Sequence, residues 1–209
     1  MKKILTAVAG VAVVALAGVG LWIVLDSSKP AATIGTVKIS AKQLNETVKA
    51  VIAERKTVTT TGMTLAYGDS LTAEELNYYV VSTLLAHTMT ANKLSITDAQ
   101  VKEREASILK QEGSAAKLRA GEVSAGIASK DFDGYIREIL AIEALTAMVE
   151  KQGTAVADSG TAVQGLVRVV ANKEGVKVDP KFGTWSASQV SVVPPATATS
   201  TTPTPAATK

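Results

Sequence analysis

The stretch Leu71–Leu94, LTAEELNYYVVSTLLAHTMTANKL, decides the fold class. Thr72 followed by Glu75 has the spacing of a capping box, and Leu71 stands where it can staple onto Leu76. After Glu75 no Asp, Glu, Lys or Arg occurs until Lys93. Wound at about 100° per residue, Leu76, Val80, Thr83, Leu84, His87 and Ala91 fall on one stripe. Tyr78, Val81, Leu85 and Met89 fall on a second, roughly opposite. A helix apolar on two sides is expected at the centre of a domain, with other helices around it. A membrane span is the competing reading. Asn77, Ser82, Thr88, Thr90 and Asn92 make the stretch too polar for that, and it is barely long enough.

Working outward, Ser40 and Gln43 form another capping pattern. It introduces an amphipathic helix through Ala41, Leu44, Val48, Val51 and Ile52 that ends near Lys56. Residues 57–70 have no helical period and read as a mobile loop. On the other side, Thr97 and Gln100 cap a charged helix over about 98–111 that buries little beyond Val101, Ile108 and Leu109. A short helix is expected over 115–120. A strong amphipathic helix follows from Ser129 or Asp131 to Lys151, with Phe132, Ile136, Ile139, Leu140 and Ile142 inward. A last helix is expected over about 161–173 through Val163, Leu166, Val167 and Val170. Strand signals are confined to Ile34–Ile39, a small hairpin or bent strand around Gly35, and to Val176–Val178. The expected fold is mainly α: a bundle of about five to six helices, closed by a minimal pairing of Val176–Val178 with the strand near Val37–Ile39. That pairing would leave no lone strand with unpaired backbone donors.

The ends of the chain read differently. Lys2 and Lys3 precede an uncharged run of 22 residues, Ile4–Leu25. About 20 apolar residues span a bilayer. Residues 1–25 are therefore expected to form one transmembrane signal-anchor, with the lysines cytoplasmic and the rest of the chain outside. Cleavage after the small-residue pattern Ala15-Leu16-Ala17 is the alternative and would give a secreted protein. The apolar run continues past that site through Leu21, Trp22 and Val24. Leu16-Ala17-Gly18-Val19 has the form of a lipoprotein box with valine in place of the lipidated cysteine. Residues 26–33 read as a polar linker, and the Pro/Thr/Ala-rich residues 186–209 as a disordered tail.

Composition narrows the function. Of 209 residues none is cysteine, which excludes disulfides, thiol catalysis and thiolate metal sites. One histidine argues against zinc. The formal charge of +3 falls to +1 once Lys2 and Lys3 are set aside, so nothing points to nucleic acid. No phosphate loop or nucleophile elbow is present, and neither a cofactor nor a catalytic residue is expected. Glu103 with Glu105, and Asp131 with Asp133, lie two apart and face different sides of a helix, so they read as solvated surface. His87, on the principal stripe, reads as a core histidine with a hydrogen-bonded ring. Trp185 reads as a packed aromatic.

Four features together resemble a known family. A short strand leads into a capped helix, Thr36–Leu44. The long apolar helix is followed by Ala91-Asn-Lys-Leu-Ser-Ile-Thr-Asp-Ala-Gln-Val101. A later helix is introduced by Ser129-Lys-Asp-Phe-Asp-Gly-Tyr-Ile136, and the fold closes on Val176-Lys-Val-Asp-Pro-Lys-Phe-Gly-Thr-Trp185. Over residues 34–185 the chain resembles the SurA-type N-terminal chaperone domain, in the form found in actinobacterial envelope proteins. The resemblance implies a helical domain assembled from both ends of the chain. Many relatives also carry a parvulin-type isomerase domain, for which no sequence signature appears here, and a lipoprotein cysteine, which is absent.

The resemblance implies non-covalent holding of non-native secreted polypeptides at the extracytoplasmic face of the membrane, without catalysis. The alternative is a structural or adaptor protein of the cell envelope that binds one folded partner. The candidate client-binding residues are Tyr78, Val81, Leu85 and Met89. If the helix over 132–151 covers them they are core. If they are open they form an adaptable apolar groove, with Met63 as a movable cover.

Overall fold

The computed structural model describes residues 29–196. Its described residues form a mainly helical domain with two small antiparallel sheets. A hairpin of β1 (Pro30–Ile34) and β2 (Val37–Ser40) leads directly into α1 (Ala41–Arg55). The Ser40 hydroxyl caps α1 by accepting from the Gln43 amide at 3.0 Å. The succeeding helices are α2 (Gly68–Ala91), α3 (Asp98–Glu112), α4 (Ala115–Ser124), α5 (Phe132–Lys151) and α6 (Val156–Glu174). Three short strands follow, β3 (Val176–Val178), β4 (Thr184–Ser186) and β5 (Ser191–Val193).

The expected centre of the domain is its centre. α2 packs against α1, α5, α6, β1 and β5. Leu76, Val80 and Leu84, on the principal stripe, are fully buried, each contributing about 1.5–3 kcal/mol of transfer free energy. Val163, Val167 and Ala171 of α6 and Ala141, Leu145 and Val149 of α5 complete the same core. α3 is sparsely buried as expected, although Leu109, read as inward, is 40 % exposed. It opens on a full capping box, Thr97 with Gln100, and Val101 is its one fully buried residue.

Five expectations are corrected. The helix of the opening stretch begins at Gly68, a turn before the assumed cap, with Tyr67 at the N-cap making no side-chain cap bond. Thr72, already inside the helix, donates instead to the Gly68 carbonyl at 2.9 Å, and Glu75 is buried. Residues 30–33, read as linker, belong to β1, the middle strand of the sheet β2-β1-β3. Val176–Val178 therefore pairs with Ala32–Ile34 and not with Val37–Ile39. The reason is packing: Ala31, Ala32 and Ile34 are at most 1 % exposed, and two alanines give a thin strand that lies close to the helices. α6 also starts at Val156, before the expected 161.

The fifth correction concerns residues 186–196, read as tail. β4 and β5 form a hairpin, Val190 and Val192 are buried, and the Val192 amide donates to the Asn77 side-chain oxygen of α2 at 2.8 Å. Gly183 permits this closure. A Cβ there would lie 2.6 Å from the Val193 carbonyl oxygen, and its φ of +144° suits glycine alone. Val190 turns the chain into β5 at φ +53°, a strained conformation for a β-branched residue. The expectations for residues 1–25, 26–28 and 197–209 lie outside the described residues. Among the described residues no helix is long and apolar enough to cross a membrane.

Candidate functional site

The second stripe of α2 is divided. Leu85 and Met89 are 2 % and 5 % exposed within the main core, and Val81 packs against it half-buried. Tyr78 reaches the start of α5, where its hydroxyl donates to the Asp131 carbonyl at 3.3 Å. Gly134 gives it room, since a Cβ there would stand 2.2 Å from the Tyr78 hydroxyl oxygen. Leu85 and Met89 are thus core, while Tyr78 and Val81 remain half-buried. Met63 is half-buried in the segment between α1 and α2. His87 is half-buried at the edge of the core, with its ring hydrogen-bonded as expected. Its Nδ1 lies 2.7 Å from Glu174 Oε2, with the two side chains 31 % and 25 % exposed, tying α2 to the end of α6. Trp185 packs half-buried against the core, as expected.

Polar chemistry collects around the first three turns of α2. Lys130 Nζ donates to Thr47 Oγ1 at 2.7 Å, Thr47 Oγ1 lies 2.6 Å from the Tyr79 hydroxyl, and Tyr79 reaches Asp131 Oδ1 in a long contact of 3.5 Å. With Thr47 donating onward, the hydroxyls form a relay from the Lys130 ammonium to the Asp131 carboxylate. Asp131 Oδ2 is buried without a hydrogen-bond partner among the described residues, and Lys130 Nζ stands 3.6 Å away. Burial raises the Asp131 carboxyl above its ordinary range, opposed by Lys130. Burial, reinforced by Asp131 and Glu74, pushes the Glu75 carboxyl up to about 8. Burial raises the Tyr79 phenol to about 12 and also raises Tyr78. One turn on, Ser82 donates to Glu138 Oε2 of α5 at 2.8 Å, yet burial still raises Glu138.

Beside this seam a cleft of about 430 Å³ opens between the end of α1, residues 64–66, the start of α2 and the end of α4. Arg55, Ser70, Glu74 and Gly126 are among its lining residues. Arg55 is 8 % exposed. Its guanidinium donates to the Ala66 carbonyl and lies 4.9 Å over the Tyr67 ring. Its Nε has no partner among the described residues. Burial lowers its pKa, countered by Tyr67, Glu74 and Glu75. The far wall is clamped by Arg119 of α4, which pairs with Glu54 and Glu122, while Glu54 accepts from the Ser129 amide at 3.1 Å.

A second, shallower groove of about 150 Å³ lies between α3, α4 and the start of α5, lined by Ile108, Leu118, Ile127, Phe132 and Tyr135 among others. Sequence reasoning missed both openings. The signal for the first was Arg55, a cation on the inner side of an amphipathic helix where Leu44, Val48 and Val51 had set the apolar face. Among the described residues no group of three or more His, Asp or Glu side chains is arranged to hold a metal.

The family model for the SurA-like N-terminal domain matches residues 1–146, most of the chain. The protein belongs to the SurA-like N-terminal domain family. No curated protein and no solved structure matches it. The family is chaperone-like. The match ends within α5, so α6 and β3–β5, which complete the core and the sheets, lie beyond the matched residues of the SurA-like domain.

Proposed function

We propose that this SurA-like domain holds non-native polypeptide chains at the extracytoplasmic face of a membrane, without catalysis, tethered by residues 4–25. Membership of the chaperone-like family carries the reading. The uncharged run Ile4–Leu25, which lies within the matched residues, supports the tether. The geometry supports transient engagement. The apolar core is closed, and the two openings flank the weakly buried α3–α4 arm. Contacts of that size bury few client side chains, each worth about 1.5–3 kcal/mol gross when fully buried, and ordering the client offsets much of it. A client reaches Leu85 and Met89 only after α5 separates from α2.

The protein at several-fold molar excess is expected to suppress aggregation of two unrelated unfolded enzymes without speeding prolyl isomerisation. Absence of protection for both would favour an adaptor that binds one folded partner. Edman sequencing of membrane-extracted protein tests the tether. A start at Met1 supports it, and a start at Gly18 contradicts it.

A further inference from the structure

We infer that the cleft between α1, α2 and α4 is a carboxylate-binding site, which takes the free C-terminus or an acidic side chain of a bound polypeptide at Arg55. The inference deepens the holding reading and rests on it. Buried cations are normally paired with carboxylates, because a charge removed from water is costly otherwise. Arg55 is 92 % buried, yet no carboxylate lies within ion-pair distance of it among the described residues. A backbone carbonyl and the Tyr67 ring hold its guanidinium, and its Nε is left without a partner.

A second, independent feature meets it in the same cleft. α2 begins there, and its N-cap Tyr67 supplies no side-chain acceptor. The amides of its first turn are donors without intrahelical partners, at the positive end of a 24-residue helix. Ser70, in that turn, lines the cleft. A planar carboxylate matches a guanidinium edge and is the kind of acceptor that helix-start amides bind. Glu74, across the cleft, is the acidic group that competes for Arg55.

Fluorescence anisotropy with residues 1–209 tests the assignment. The probes are a labelled leucine–serine decapeptide with a free C-terminus, its amidated twin, and an amidated twin carrying one internal glutamate. The free-acid or the glutamate peptide is expected to bind at least tenfold tighter than the neutral amide, and which of the two does so identifies the carboxylate source. Arg55→Gln is expected to abolish the difference, and Glu74→Gln to tighten acid binding two- to fivefold. Should Arg55→Gln fail to fold, Ser70→Asp carries the test. Its carboxylate would occupy the site from within, remove the discrimination and raise the melting temperature. Equal binding of acid and amide peptides, or unchanged discrimination in a folded Arg55→Gln or in Ser70→Asp, overturns the inference. Client protection without acid–amide discrimination removes only the cleft assignment. Absence of both protection and peptide binding removes the holding function with it.

Discussion

From Val80 to Met89, α2 presents Leu84, Leu85 and Met89 to an aliphatic core, and its own carbonyls satisfy the buried hydroxyls of Thr83 and Thr88. Thr83 donates to the Tyr79 carbonyl and Thr88 to that of Leu84, both at 2.7 Å. From Gly68 to Tyr79 the same helix presents Glu74, Glu75, Tyr78 and Tyr79 towards Arg55, Lys130 and Asp131, and among the described residues Arg55 Nε and Asp131 Oδ2, on the elements packed against that half, have no partner. One helix thus carries a half that is satisfied internally and a half that holds buried charge under tension. Burying unmatched charge lowers stability, so the second half is where the fold leaves room for a ligand. The first half closes the domain.

The comparison breaks first at the closed half. Leu85→Ala is expected to lose about 2–5 kcal/mol, measured as a shift in the urea midpoint at constant slope. A loss below 1 kcal/mol would mean that α5 does not seal this stripe. Next in size is the pH dependence of the polar half. The Glu75 carboxyl, raised to about 8 in the folded state, binds its proton more tightly folded than unfolded. Its contribution is therefore favourable below the unfolded value of about 4.3 and is lost as pH rises through about 8. Glu75→Gln should remove that loss. Its stability relative to wild type should grow by on the order of 1–4 kcal/mol between pH 4 and pH 9. A parallel pair of stability–pH curves would contradict the buried environment assigned to Glu75.

Smaller effects sharpen the boundary between the halves. Gly134→Ala should displace the Tyr78 hydroxyl and cost about 1–3 kcal/mol, and Tyr78→Phe in the same background should recover part of it. His87→Ala should cost only about 0.5–1.5 kcal/mol, as expected of one partly exposed hydrogen bond. A larger loss would return His87 to the core.

How much of this was legible follows from the same division. The two stripes of α2, the capping box of Thr97 and Gln100, and the burial of Phe132 and Ile136 needed only helical periodicity, whereas Ile142, read as inward on the same helix, is 42 % exposed and Leu145 and Val149 fill the core in its place. β1 escaped because Pro30-Ala-Ala-Thr33 has little of the β-branched character by which strands are recognised. It is a strand because the sheet needs a thin middle member. β5 escaped because Ser191-Val-Val193 sits beside Pro194 and Pro195 in a polar context, while its fixing contact, Asn77, is distant in sequence. The N-terminus of α2 was misplaced because Thr72 and Glu75 fit the capping pattern, and nothing local shows that Glu75 is drawn inward. Arg55 could be placed on a helix face from its spacing, but the absence of a carboxylate partner is a property of the packed chain.

Hydrogen–deuterium exchange of residues 1–209, with and without the natively unfolded polypeptide β-casein, tests the division most directly. The account predicts slowed exchange in residues 56–70 and in α4, with the amides of Leu84–Met89 equally protected in both states. Exchange that quickens at Leu84–Met89 on adding casein, with residues 56–70 unchanged, would show that the closed half opens to receive the client and would contradict it.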